Sequence, residues 1–279
     1  MTKKNNIINA FGLAVIAILT IFAYKATLMW IYDRYIGADS YYSHGFIVPL
    51  VSLFLIYQQK DRLSQVKQRS SKIGLFVIFF ALLLHVLGTA LYIFSVSGFS
   101  LFFLAIGLSL FIFGEETTKI IWFPLFFLVF MFPLPMAMIS LIAFPLKIFA
   151  AKAGVFAVSL FGVPVHGEGF NIFIPAGHLL VGNPCSGLRS LIAFLALGSI
   201  FAYMAPLTSA RKWALFLLSI PIALLSNIVR VPILILVSHY WGLKSAAPDT
   251  LVHTGSGVLV FVLGFLLLLF TAKVLEWRT

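Results

Sequence analysis

The sequence predicts an all-α, polytopic membrane protein, and three observations carry that reading. Hydrophobic residues make up 62% of the 279-residue chain and charged residues 10%, with a mean hydropathy of +1.09. That is more apolar surface than a water-soluble domain of this length buries. Apolar runs recur at 7–31, 44–59, 73–94, 97–113, 120–140, 141–161, 185–205, 213–240 and 254–275. Several reach the ~18 residues that a helix needs to cross a bilayer. The remaining charges gather between the runs, so the net charge of +11 reads as a basic cytoplasmic face rather than a nucleic-acid surface.

The elements follow in order. MTKKNN precedes a run from Ile7 to about Trp30, longer than a signal-peptide core and without a small-residue cleavage site, so a retained helix is expected. KDRLSQVKQRSSK, Lys60 to Lys72, carries five basic residues and one acid and belongs on the cytoplasmic side. Lys3, Lys4, Arg211, Lys212, Lys273 and Arg278 belong there too. With both termini inside, counting from the N-terminus leaves the chain outside near Pro135. Counting back from the C-terminus puts the 185–205 run outside at its start. The two counts agree only if 141–161 does not cross. That run carries Lys147 and Lys152 and follows the breaker FPLP, Phe132 to Pro135, so an interfacial or re-entrant helix is expected. The total is about eight spanning helices in one domain, residues 1–279, with no further domain after the last helix. Between Gly162 and Pro184 the chain turns rich in Gly and Pro with short alternating pieces, predicting a small extracytoplasmic hairpin or loop.

VGNPCSGLRSL, Val181 to Leu191, holds the only cysteine. A lone thiol excludes an internal disulfide and argues against a thiolate-rich metal site. Asn183 and Pro184 read as a helix start, with Cys185 in the first turn. A helix N-terminus favours a thiolate, the nucleophilic form. The backbone N–H groups of Ser186, Gly187 and Leu188 are suited to an oxyanion, and Arg189, four residues on, leans back toward the sulfur. The plainer alternative is a packed cysteine with a snorkelling arginine.

SNIVRVP, Ser226 to Pro232, puts Arg230 inside an apolar run, 17 residues beyond Trp213 and so about 25 Å along a helix, near the outer edge of a ~30 Å core. Ser226, Asn227 and Arg230 share a face. A charge at membrane depth points to function, unless it snorkels to lipid phosphates. HTGSG, His253 to Gly257, opens the last helix at the same face. His253 suits a general base, with Asp249 four residues earlier to orient it; the alternative is a capping histidine. Three runs thus bring Cys185, Arg230 and His253 to one depth, the parts of a thiol protease or transpeptidase.

At these residues the sequence resembles the exosortase/archaeosortase family of membrane cysteine transpeptidases. CSGLRSL at 185–191 looks like its nucleophile motif, NIVRVP at 227–232 its arginine motif, and His253 with the following glycine its histidine motif. YYSHGFIVP at 41–49 resembles a further signature, and the likeness covers most of the chain. Pro184, where a small residue is usual, marks a divergent subgroup. The resemblance implies that Cys185 is the nucleophile, Arg230 the oxyanion partner and His253 the acid/base. It also implies exported substrates ending in a sorting signal: a short motif such as Pro-Glu-Pro, a membrane helix and a basic cluster. Cleavage would take place at the outer face of a prokaryotic cytoplasmic membrane, with the acyl group passing to an acceptor or to water.

His44 belongs to the fourth signature, with substrate contact and a purely structural role equally open. Glu168, in the loop before Cys185, is suited to meeting the basic part of a substrate. His166, Glu168 and His178 match no standard zinc spacing, and neither a metal nor a cofactor is called for. Membrane lipid and substrate proteins are the expected partners, nucleic acid is not, and the oligomeric state is open. The competing class is a transporter or flippase that binds an anion through Arg230, which would call for an internal repeat the sequence lacks.

Overall fold

Apolar sequence becomes helix through nearly all of the computed structural model, which describes residues 3–37, 40–67, 69–182, 186–247 and 250–277. Asn183, Pro184, Cys185 and Asp249 lie outside the described residues. The chain divides into two units, the first comprising residues 1–38 and 42–135, the second 39–41 and 136–279.

In the first unit, α1 (Lys3–Ala23) and α2 (Lys25–Ile36) meet at a 72° bend, together long and apolar enough for one broken span. A polar cluster gathers at the break. The Tyr24 hydroxyl bonds Ser100 Oγ at 2.8 Å, Thr27 Oγ1 bonds Ser97 Oγ at 2.6 Å, and the His85 ring stacks on Tyr24 at 3.8 Å. These bonds stabilise polar groups where lipid offers no partners. A 3₁₀ turn, Ser43–Phe46, leads into α3 (Ile47–Gln58), followed by the short α4 (Lys60–Ser64).

The hairpin of α5 (Lys72–Ala90) and α6 (Phe94–Ile112) closes on glycines. A Cβ added at Gly74 would lie 2.4 Å from the Phe111 nitrogen, and one at Gly88 2.6 Å from the Ser97 nitrogen. Backbones this close admit no larger side chain. Ser71 caps α5 by accepting from the Ile73 N–H, and donates to Glu115 Oε1 at 2.9 Å. The basic segment thereby meets the start of α7 (Glu115–Ile120). The run at 120–140 yields only α8 (Trp122–Phe127) and a 3₁₀ turn, Leu128–Met131, before Phe132 turns extended ahead of Pro133. Tyr42 accepts the Leu134 N–H at 3.2 Å, and burial pushes its phenol up to about 12.

The second unit opens with α9 (Met136–Ser159), continuous through Pro145. Most of the 141–161 run lies within this 24-residue helix, which is long and apolar enough to cross, whereas Trp122–Met131 is among the shorter apolar helices at about 15 Å. The FPLP breaker cuts the preceding run short, and α9 starts immediately after it. Among the described residues, five helices satisfy the length and composition of a span, or six with the bent pair counted as one. The chain is an all-α transmembrane protein apart from one small sheet.

That sheet occupies the Gly/Pro-rich segment as a three-stranded antiparallel meander: β1 (His166–Glu168), β2 (Asn171–Ile174) and β3 (Gly177–Leu180). Ile172, Ile174 and Val181 pack on Ala150, Ala151 and Val158 of α9, and on Val231 and Ile235 of α11 (Ser209–Trp241). Phe173, His178 and Leu180 take the exposed face. α10 (Leu188–Met204), α11 and α12 (Leu251–Trp277) share a second core around Phe194, Leu215, Ala223 and Leu268.

Candidate active site

The second unit brings the arginine and histidine motifs together. Arg230, about two-thirds of the way along α11, is 8% exposed, and His253, in the first turn of α12, is equally buried. Arg230 Nη2 donates to the His253 carbonyl at 3.1 Å and lies 3.4 and 3.3 Å from the two ring nitrogens. Equal approach to both nitrogens is a close contact rather than one directional bond. Arg230 Nε donates to Ser256 Oγ at 3.3 Å, and that hydroxyl donates to the His253 carbonyl at 2.8 Å. Ser256 therefore ties the guanidinium to the first turn of α12. The His253 N–H is itself capped by Thr250 Oγ1 at 3.3 Å, which fixes the helix start.

Small residues let α12 come this close. A Cβ at Gly257 would sit 3.4 Å from Arg230 Nη2, and one at Gly264 only 2.8 Å from Ser226 Oγ. Ser226 turns its hydroxyl back to the Ile222 carbonyl at 2.7 Å, satisfying itself within α11.

The nucleophile motif arrives from α10. Cys185 lies outside the described residues, but its neighbours Ser186 and Gly187 are described. Gly187 has φ +82°, the left-handed region, and a Cβ there would meet Asn227 Nδ2 at 2.9 Å. The segment thus rests on α11 one turn before Arg230. Ser186 is 1% exposed, and its Oγ accepts the Leu188 N–H at 3.3 Å.

The expected helix start falls on Asn183, Pro184 and Cys185, outside the described residues. α10 itself begins at Leu188, with its first backbone bond from Leu191 N to Gly187 O at 2.8 Å. The positive φ of Gly187 is incompatible with a right-handed helix, so α10 does not continue back through it. Arg189 is half-buried.

Two other expected residues stand elsewhere. Glu168 is exposed in β1, with its carboxylate 3.5 Å from His166 Nε2. His44 belongs to the first unit, where its ring hydrogen-bonds the Phe130 backbone and its Nε2 is buried with no partner among the described residues. The sequence reading missed Ser256. Its signal was the spacing of three from His253, which places the two on one helical face.

A model of the transmembrane exosortase family matches residues 34–270. The chain belongs to the transmembrane exosortase family. No curated protein and no solved structure was found to match it. Exosortases are membrane cysteine transpeptidases, so membership makes this an integral membrane protein whose general role is the processing of sorting signals on protein substrates.

Proposed function

We propose that this exosortase cleaves C-terminal sorting signals through a Cys185 acyl-enzyme and passes the acyl group to an acceptor or to water. The contact of Arg230 with His253, bridged by Ser256, carries the reading, because it joins two motifs 23 residues apart at a residue pair suited to acyl transfer. Gly187 on Asn227 supports it from the nucleophile's side.

The steps balance as follows. His253 takes the thiol proton, and the Cys185 sulfur attacks the scissile carbonyl carbon. The oxyanion accepts from the Arg230 guanidinium, with Ser186 and Gly187 N–H groups as further donors. His253 returns the proton to the departing amine as the C–N bond breaks and a thioester remains. An acceptor amine or water then attacks the thioester and regenerates the thiol. Arg230 is held by the α12 backbone instead of reaching to it, so its donors cost little to align.

The topology that accompanies this reading has eight crossings: the bent α1–α2 pair, Ser43–Gln58, α5, α6, the 120–135 segment, α10, α11 and α12, with α9 on the outer side without crossing. The 120–135 segment runs along Ser43–Gln58, from the Ser52 hydroxyl donating to the Pro124 carbonyl at 2.7 Å to the Tyr42 hydroxyl accepting the Leu134 N–H at 3.2 Å, and ends beside the outer end of that helix. The 60–72 segment and both termini are then cytoplasmic, and the sheet and Cys185 face outward, in the cytoplasmic membrane of a prokaryote. The family match runs through both units, which supports one functional domain over residues 1–279.

The test is co-expression with an exported reporter ending in a Pro-Glu-Pro motif, an apolar helix and an Arg/Lys cluster. Wild type is expected to trim the reporter, and Cys185→Ala to insert normally but leave it intact. Equal trimming by Cys185→Ala would refute the nucleophile assignment.

A further inference from the structure

We propose that the free edge of β3 is the docking strand for the extended substrate segment that leads into the scissile bond. The inference rests on the transpeptidase reading above and adds the mode of peptide recognition.

The ladder fixes which backbone groups point outward. β2 and β3 pair as Asn171↔Leu180, Ile172↔Leu179, Phe173↔His178 and Ile174↔Gly177. The same register brings Val181 opposite Phe170, and the Val181 N–H donates to the Phe170 carbonyl at 3.0 Å. In an antiparallel ladder, hydrogen-bonded pairs alternate with non-bonded ones. Leu179 and Gly177 therefore direct their N–H and C=O groups at β2, while His178 and Leu180 direct theirs away from it. β3 is the outer strand of the sheet, so these groups form an edge.

Among the described residues, the edge is unguarded. Sheet edges are usually blunted by charge or proline, and β1 on the opposite side carries His166 and Glu168, paired to each other, just after Pro164. β3 reads Gly-His-Leu-Leu, without Lys, Asp, Glu or Pro. His178 and Leu180 are both exposed, Leu180 at 61%. The other face of the strand is anchored, with Leu179 and Val181 in the core shared with α9 and α11, so the edge is rigid.

The occupant follows from position and chemistry. Leu180 lies five residues before Cys185, at most about 18 Å of extended chain. A strand added along this edge uses backbone hydrogen bonds for affinity and alternate side chains for selectivity. A peptide whose scissile carbonyl must be presented to a nucleophile at the membrane surface, just before its own membrane helix, is an extended segment of this kind. The exposed side chains of Phe173, His178 and Leu180 offer it a partly apolar surface.

The experiment uses the full-length protein in membranes with the same reporter. Leu180→Pro deletes one outward N–H, at a position where an edge tolerates proline. It is expected to trim at least about tenfold more slowly than Leu180→Ala, equivalent to ~1.4 kcal/mol, while iodoacetamide alkylates Cys185 as in wild type. Benzoylphenylalanine at position 178 in a Cys185→Ala background is expected to cross-link the uncut reporter just ahead of its apolar helix. Equal trimming by the Pro and Ala variants, or a cross-link absent or directed to a second copy of the chain, overturns the edge assignment alone, provided Cys185→Ala is inactive. A reporter untouched by wild type, or trimmed equally by Cys185→Ala, overturns the transpeptidase reading and this inference with it.

Discussion

Replacing Gly187 by alanine tests the placement of the nucleophile segment on α11. Two costs follow from the structure. A φ of +82° carries about 1–2 kcal/mol for a residue with a Cβ. The new methyl would also stand 2.9 Å from Asn227 Nδ2, 3.0 Å from its Cγ and 3.3 Å from its Cβ. Asn227 is 3% exposed and cannot swing aside, so repacking adds about 1–3 kcal/mol. The expected loss is about 3 kcal/mol, a large share of the ~5–15 kcal/mol that holds a domain folded. The assay is denaturant unfolding of the detergent-solubilised protein in a double-mutant cycle with Asn227→Ala. Alanine at 227 removes the two closest contacts and keeps the third, so Gly187→Ala should cost about 1–2 kcal/mol less in that background. The φ cost remains in both. An unchanged midpoint for Gly187→Ala, or an identical cost in the two backgrounds, would refute the packing of this segment on Asn227.

Further outcomes are expected elsewhere. Ser256→Ala leaves a charged N–H of Arg230 without its acceptor, at about 1–3 kcal/mol; reporter trimming should fall at least about tenfold, and Ser256→Thr, which keeps the hydroxyl, should recover most of it. A fall of equal size in both variants would show that Ser256 serves packing alone. Gly74→Val forces a branched side chain against the Phe111 backbone, where even a Cβ lies 2.4 Å from nitrogen, so the α5–α6 hairpin should open and protein yield should drop sharply; normal yield and stability would contradict the contact. In a Cys185→Ala background, an impermeant maleimide applied to intact cells should label Ala176→Cys, in the turn before β3, and spare Ser70→Cys until the membrane is permeabilised. Labelling of both from outside would refute the eight-crossing arrangement.

The sequence by itself determined the class, the motifs and most element positions. Composition and run length require helices in lipid, because backbone groups there must bond within their own segment. NIVRVP and HTGSG were legible because charged and histidine side chains are rare in such runs and stand out without any knowledge of packing. The sheet before Cys185 was legible from the change of period and the Gly/Pro punctuation. Tertiary structure decided what depends on distant partners. It seated Trp122–Met131 along α3, where the Ser52 hydroxyl donates to the Pro124 carbonyl at 2.7 Å, a partner 72 residues away. It set the start of α10 at Leu188, because the left-handed turn at Gly187 accompanies its seat on Asn227, a residue forty positions away that no local rule for helix starts includes. It also made Ser256 the link between Arg230 and His253. A serine looks like any other in sequence, and only the approach of α11 to α12 turns its hydroxyl into the acceptor of one motif and the donor to the other.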